Sequence, residues 1–378
     1  MTVRGHLFVL AAGGTGGHVF PAEALAAELA GRGCRLALVT DRRGGSLSGL
    51  LGEIETHRIL AGGVAGKSLA ARLRSAPELA IGTWQARVLL KRLNPEAVVG
   101  FGGYASVPTM LAAAYGGFKT AIHEQNAVLG RANRFLSSRV MCCAVSFESS
   151  KGLISEAAGK VVHTGMPVRP AVIAVGERPY PTLAGDGPIN ILVLGGSQGA
   201  HVLSQVVPDA VARLEEGLRR RFSVAQQCRP EDLAETAKAY QRLGLKADVA
   251  DFFIDVPERL AAAHLVISRA GASTVAECAV VGRPAILVPY PHAIDDHQSV
   301  NAHAMDAAGA AWLMPEEAFT PQALAIRLDS LFGLPAILDK AAASARAAGR
   351  PDAAARLADM VFALLPDNSN PETRKEAA

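Results

Sequence analysis

Cysteine is scarce in this chain, and the residues present (Cys34, Cys142, Cys143, Cys228 and Cys278) form no CxxC pair and leave an odd one over. Reduced thiols in a cytoplasmic chain are expected instead of a disulfide framework. Charge of one sign is also lacking: a formal net charge of +3 gives no reason to expect a nucleic-acid partner. Neither GxGxxG nor GxxxxGK[ST] occurs, so a dinucleotide fold and a P-loop NTPase both lose support. No pair of carboxylates suggests the two-acid scheme of a glycoside hydrolase.

Hydrophobic runs long enough to span a membrane are missing too. The apolar run of the N-terminus (GHLFVLAA) is short and passes at once into a glycine loop, so it reads as a strand and not as a signal peptide. Residues 97–118 carry no charge, but five glycines and Pro108 argue for strand, loop and helix.

What is present is alternation. With 378 residues, half of them hydrophobic and few aromatic, the chain is long enough for roughly two domains. LFVLAA leads into GGTGGH and a helix opened at Pro21, with Ala22, Leu25, Ala26 and Leu29 as its apolar stripe. RLALVT, AVVGFGGYAS, KTAIHEQN and VMCCAVS follow as further strands, a doubly wound parallel α/β pattern with polar residues at strand C-terminal ends. Between Gly165 and Pro188 lie five prolines (Pro167, Pro170, Pro179, Pro181 and Pro188) and little periodicity, as in a linker. The alternation then restarts with NILVLGGSQGA, FSVAQQC, a segment ending in FFID, LVIS, AILVPYP and AAWLM. These features divide the chain into residues 1–164, a linker at 165–188, a second domain at 189–350, and a helix at 351–366 that could pack back on the first domain. The tail at 367–378 reads as disordered.

Three glycine loops stand at equivalent strand ends: Gly13 to Gly17, Gly102 with Gly103, and Gly195 to Gly199. Glycine tolerates positive φ and lets the backbone approach a ligand, so such loops can aim N–H groups at phosphate oxygens. In HLVISRAGASTVAE, Ser273 and Glu277 are four residues apart and share a helix face. The hydroxyl and helix N-terminus suit a phosphate, and the carboxylate one turn deeper suits a sugar's vicinal hydroxyls. The alternative is plain structure, with Ser273 or Thr274 capping the helix and Glu277 a solvated acid. His18 starts a helix, where the dipole favours a neutral ring able to take a proton, or it hydrogen-bonds a phosphate. His292, Asp295, Asp296 and His297 make a loose set of possible metal ligands in a polar loop, too weak a signal for a metal to be expected.

The ordered motifs GGTGGH, GFGGYAS, HEQN, PVR, GGSQGA and RAGASTVAE resemble those of the MurG family of bacterial glycosyltransferases, from the first strand to about Asn301. The resemblance implies a GT-B fold, two Rossmann-like doubly wound parallel-sheet domains facing a central cleft. It also implies UDP-N-acetylglucosamine as donor, lipid I as acceptor, no cofactor, and a place on the cytoplasmic face of the cell membrane. By motif, Ser197, Ala272, Ser273 and Thr274 would hold the diphosphate and Glu277 the ribose. Ile254 would meet the uracil, with Arg169 reaching in from the linker, and His297 and Gln298 would read the sugar. Family members usually show two glutamines where this chain has His297 and Gln298, after a loop that looks a residue longer. Thr15, Gly16, Gly17, Tyr104 and Asn126 match substrate-binding positions of the first half, with His18 as leading base and Glu124 as second.

A lipid-borne acceptor requires an enzyme that meets a bilayer. Between Lys67 and Arg92, leucines, Ile81 and Trp84 interleave with Arg72, Arg74, Arg87 and Lys91, a pattern suited to an anionic membrane surface or to an ordinary amphipathic helix. A UDP-N-acetylglucosamine 2-epimerase and a non-catalytic nucleotide-sugar-binding module remain as alternatives.

Overall fold

A computed structural model describes residues 5–13, 16–41, 49–61, 69–148, 150–152, 159–183, 185–196 and 199–366, with the backbone alone for 69–75. The chain forms two compact units, Met1–Arg169 with Asp352–Ala378 and Pro170–Pro351.

In the first unit seven strands form one sheet: β1 (Leu7–Ala11), β2 (Arg35–Asp41), β3 (Glu55–Ile59), β4 (Ala97–Gly100), β5 (Lys119–Glu124), β6 (Cys142–Val145) and β7 (Val161–His163). Every pairing is parallel, in the order β3-β2-β1-β4-β5-β6-β7. Strands so placed are covered on both faces, which is why β4 and β6 are buried at every residue. Side chains alternate across the sheet. Phe8 and Leu10 join Leu25 and Leu29 on one face, while Val9 joins Val98, Met110 and Leu90 on the other.

The last helix, Ala353–Phe362, belongs to this unit. Its Leu357, Ala358 and Val361 enter the cluster around Phe8 and Leu25, and Phe362 meets Phe8 edge to face at 5.5 Å. Arg32 Nη1 donates to Asp359 Oδ1 at 2.5 Å, and Arg356 Nη2 donates to the His163 carbonyl at 3.1 Å.

The second unit repeats the design with β8 (Ile189–Leu194), β9 (Phe222–Gln227), β10 (Lys246–Ala250), β11 (Leu265–Ser268), β12 (Ala285–Leu287) and β13 (Ala311–Leu313). They run parallel in the order β10-β9-β8-β11-β12-β13. In each sheet the winding reverses beside the first strand, between β1 and β4 and between β8 and β11. Ligands of open parallel sheets bind outside the strand C-termini at such reversals.

Three features depart from the sequence expectation. Strands β3 and β7 join the first sheet, though ETHRI is half charged and VVH only three residues long, so neither shows a hydrophobic run. FFID is not a strand end: β10 finishes at Ala250, and Phe252 and Ile254 project from the loop beyond it. Residues 170–176, inside the stretch read as a linker, form a helix that buries Val172 and Val175. Arg283, wholly buried, holds this region by donating to the carbonyls of Pro179, Leu260 and Ala261. The tail at 367–378 lies outside the described residues. No helix among the described residues is long and apolar enough to cross a membrane.

Candidate active site

At the β1/β4 reversal, Gly16 and Gly17 open the helix Gly16–Gly31 and set His18 in its first turn. Opposite it, Gly102 (φ 81°) and Gly103 (φ 69°) turn the chain out of β4 into the helix Gly103–Tyr115, on which Tyr104 follows at once. A Cβ on Gly103 would stand 3.2 Å from His18 Cδ2 and 3.3 Å from Nε2, so any larger residue there would crowd the imidazole. The strained φ adds a second reason for glycine.

The end of β5 completes this edge. His18 Nδ1 lies 3.2 Å from Gln125 Oε1. Gln125 Nε2 lies 2.9 Å from the Phe101 carbonyl, 3.1 Å from that of His123, and 3.2 Å from His123 Nδ1. His123 Nε2 is 3.1 Å from the Gly165 carbonyl. Burial pushes His123 down to about 4, so its ring is neutral at physiological pH.

Glu124, the second base candidate, is buried and fully engaged. Its Oε1 accepts from Asn126 N (3.0 Å) and Asn126 Nδ2 (3.3 Å), and its Oε2 from Gly130 N (2.9 Å) and Asn133 Nδ2 (2.8 Å). Four donors use the lone-pair sites of one carboxylate, so Glu124 anchors the loop that carries Asn126. Arg169, expected with the donor, stacks 4.6 Å over Phe20 within the first unit. Burial raises the carboxyl of Glu23 on the same helix, and Arg169 partly offsets this.

In the second unit, Gly196 (φ 77°) and Gly199 (φ 65°) form the turn after β8, closed by Gly199 N donating to Gly196 O at 3.0 Å. A Cβ on Gly199 would stand 2.7 Å from Arg229 Cγ, so this turn too requires glycine. Beyond β11 the helix Ala272–Val281 begins with Gly271 as its N-cap and no side-chain capping bond. Neither Ser273 nor Thr274 therefore caps it. Ser273 Oγ is shielded from solvent and has no hydrogen-bond partner among the described residues. Glu277 is buried, 6% exposed, and so is not a solvated acid.

Two residues not singled out from the sequence fix this edge. Arg269 donates to the carbonyls of Val288 (3.3 Å) and Pro289 (3.1 Å) and pairs with Glu316 at 2.5 Å. Asn301 Nδ2 donates to Ala270 O at 3.1 Å. In the polar loop, Asp295 and Asp296 both adopt positive φ (53° and 51°), a conformation that costs energy for residues other than glycine. His297 Nδ1 lies 2.7 Å from Ile294 O, and Gln298 Oε1 accepts from Tyr290 N at 3.0 Å. Ile254 is 88% exposed. Thr15 and Ser197 lie outside the described residues.

The helix Leu69–Leu93 buries Ala86, Leu89 and Leu90 against the first sheet and turns Ile81, Trp84 and Val88 outward, at 46%, 66% and 51% exposure. Arg87, Lys91 and Arg92 are exposed beside that stripe. Lys67 and the side chains of Arg72 and Arg74 lie outside the described residues.

Residues 8–145 match the glycosyltransferase family 28 N-terminal domain and residues 190–357 the C-terminal domain of that family. A protein of Paramagnetospirillum magneticum is 58% identical over 98% of this chain and 100% of its own length. It is named UDP-N-acetylglucosamine–N-acetylmuramyl-(pentapeptide) pyrophosphoryl-undecaprenol N-acetylglucosamine transferase. One of the same name from Rhodospirillum rubrum is 55% identical over 96% of this chain and 93% of its own. The crystal structure of Acinetobacter baumannii MurG aligns with a TM-score of 0.74 at 30% identity, covering 95% of this chain and 99% of that one. A UDP-N-acetylglucosamine 2-epimerase of Neisseria meningitidis aligns at 0.64 with 16% identity over 95% of this chain and 100% of its own, a likeness of fold alone. With both domains of the family matched in order and the likeness running nearly end to end, the chain has the GT-B fold and belongs to glycosyltransferase family 28, in its MurG branch.

Proposed function

We propose that the chain transfers N-acetylglucosamine from UDP-N-acetylglucosamine to the 4-hydroxyl of the muramyl sugar of lipid I, forming lipid II for peptidoglycan. The observation that carries this reading is the 58% identity with the Paramagnetospirillum magneticum transferase over 98% of the chain.

On this reading the second unit holds the donor. N–H groups and the dipole at the head of Ala272–Val281 face the diphosphate with Ala272, Ser273 and Thr274, and the Gly195–Gly199 turn with Ser197 adds further donors. Glu277 takes the ribose hydroxyls, Ile254 meets the uracil, and His297 and Gln298 read the sugar. In the first unit Thr15, Gly16, Gly17, Tyr104 and Asn126 bind substrate, and His18 Nε2 takes the proton of the acceptor's 4-hydroxyl. The oxygen so freed forms a bond to C1 as the C1–phosphate bond breaks and UDP leaves with the electron pair. Prearranged amide hydrogens stabilise the charge gathering on UDP. One displacement inverts the anomeric centre, giving a β linkage from an α donor.

The exposed Ile81, Trp84 and Val88 stripe with Arg87, Lys91 and Arg92 suits peripheral contact with an anionic bilayer, where the acceptor is anchored. Co-sedimentation with phosphatidylglycerol vesicles should weaken in Trp84→Ser and with rising salt. Binding indifferent to both would remove this surface.

Incubation with labelled UDP-N-acetylglucosamine and a lipid I analogue, with and without chelator, tests the whole reading. Label should enter a β-linked disaccharide on the lipid in both arms. Isomerisation of the free donor, or binding without transfer, would overturn it.

A further inference from the structure

We propose that Gln125 and His123 are positioning residues that lock His18 into the tautomer with the proton on Nδ1, leaving the Nε2 lone pair to the acceptor. This rests on the reading of His18 as the base.

The hydrogen bonds run inward from a fixed end. The Gly165 carbonyl can only accept, so His123 Nε2, 3.1 Å away, carries a hydrogen. A neutral imidazole has one N–H, so His123 Nδ1 must be an acceptor. Gln125 Nε2, 3.2 Å from that nitrogen, supplies it. The same amide nitrogen faces the carbonyls of Phe101 and His123 at 2.9 and 3.1 Å. Turning the amide over would set its oxygen against two carbonyl oxygens, so the network itself assigns the amide orientation. Gln125 Oε1 then faces His18 Nδ1 at 3.2 Å as an acceptor only. His18 Nδ1 must therefore be the protonated nitrogen.

The network is held as a unit. His123 and Gln125 are almost fully buried, and burial keeps the His123 ring uncharged. Glu124, the carboxylate between them in sequence, spends its oxygens on Asn126, Gly130 and Asn133. An amide therefore sets the tautomer here, where many enzymes use a carboxylate. Orientation is gained without a fixed negative charge beside the phosphate-bearing substrate.

Nitrogen-15 NMR of the histidine-labelled full chain tests this directly, with the His18 signals identified by their loss in His18→Ala. Wild-type His18 should show a protonated Nδ1 and an unprotonated Nε2. Gln125→Leu should give mixed tautomers and roughly a 100-fold lower kcat, with the donor KM unchanged. A wild-type ring protonated on Nε2 overturns the proposal without any variant having to fold. Gln125→Leu with unchanged tautomer and unchanged kcat overturns it as well. Full turnover in His18→Ala with the expected wild-type tautomer would instead remove the base reading and leave the lock standing.

Discussion

At the reversal of the first sheet the loops deliver side chains that bond one another: an imidazole, an amide, a second imidazole and a saturated carboxylate. At the reversal of the second they deliver a helix start with no side-chain cap, a glycine turn, and a shielded serine hydroxyl with no partner among the described residues. The strand order around the two points is the same. A shared scaffold thus sets where chemistry is done, and a few residues after the strand ends set which chemistry. Side-chain networks fix proton positions, whereas helix starts hold anions of variable shape.

Variants can break this contrast. The largest effect is expected from His18→Ala, which should lower kcat by about 10²- to 10⁴-fold while donor affinity, measured by calorimetry, changes little. Equal loss in both would erase the division between the two edges. Leu357→Ala should destabilise the first unit by about 2–5 kcal/mol in urea melts, with donor binding by the second unit preserved. Acid should also act on the first unit. Because the folded-state value of His123 (about 4) lies below the ordinary 6.5, the unfolded chain takes the proton first. That contribution, about 3 kcal/mol, is complete above pH 6.5 and lost as pH falls toward 4. Stability measured across that window should show the slope, and His123→Asn should flatten it. Smallest is Glu277→Ala, expected to weaken donor binding by about 1.5–3 kcal/mol with kcat at saturating donor largely kept.

The doubly wound fold was legible because buried parallel strands are continuous apolar runs and their glycine loops recur at fixed places. What escaped was written in other terms. β3 and β7 are short edge strands whose pairing, not hydrophobicity, recruits them. The four donors to Glu124 gave no sequence signal, since they meet only once the chain after β5 has folded around it. Gln125 stood in a recognised motif without a role, because an amide's function depends on which neighbours face each end. Arg269 and Asn301 gave no signal, since their partners, backbone carbonyls and for Arg269 also Glu316, are brought close only by the fold.

The return of Ala353–Phe362 to the first sheet sets an order on biosynthesis. As the polypeptide leaves the ribosome, Phe8, Leu25 and Leu29 emerge before the second unit, yet Leu357 and Val361, which cover them, emerge only after it. The second unit, contiguous from Pro170 to Pro351, has all its strands available before that cover arrives. Released chains truncated before Ala353 should therefore protect the later half from protease and leave the earlier half open, reversing the usual N-to-C sequence of domain maturation.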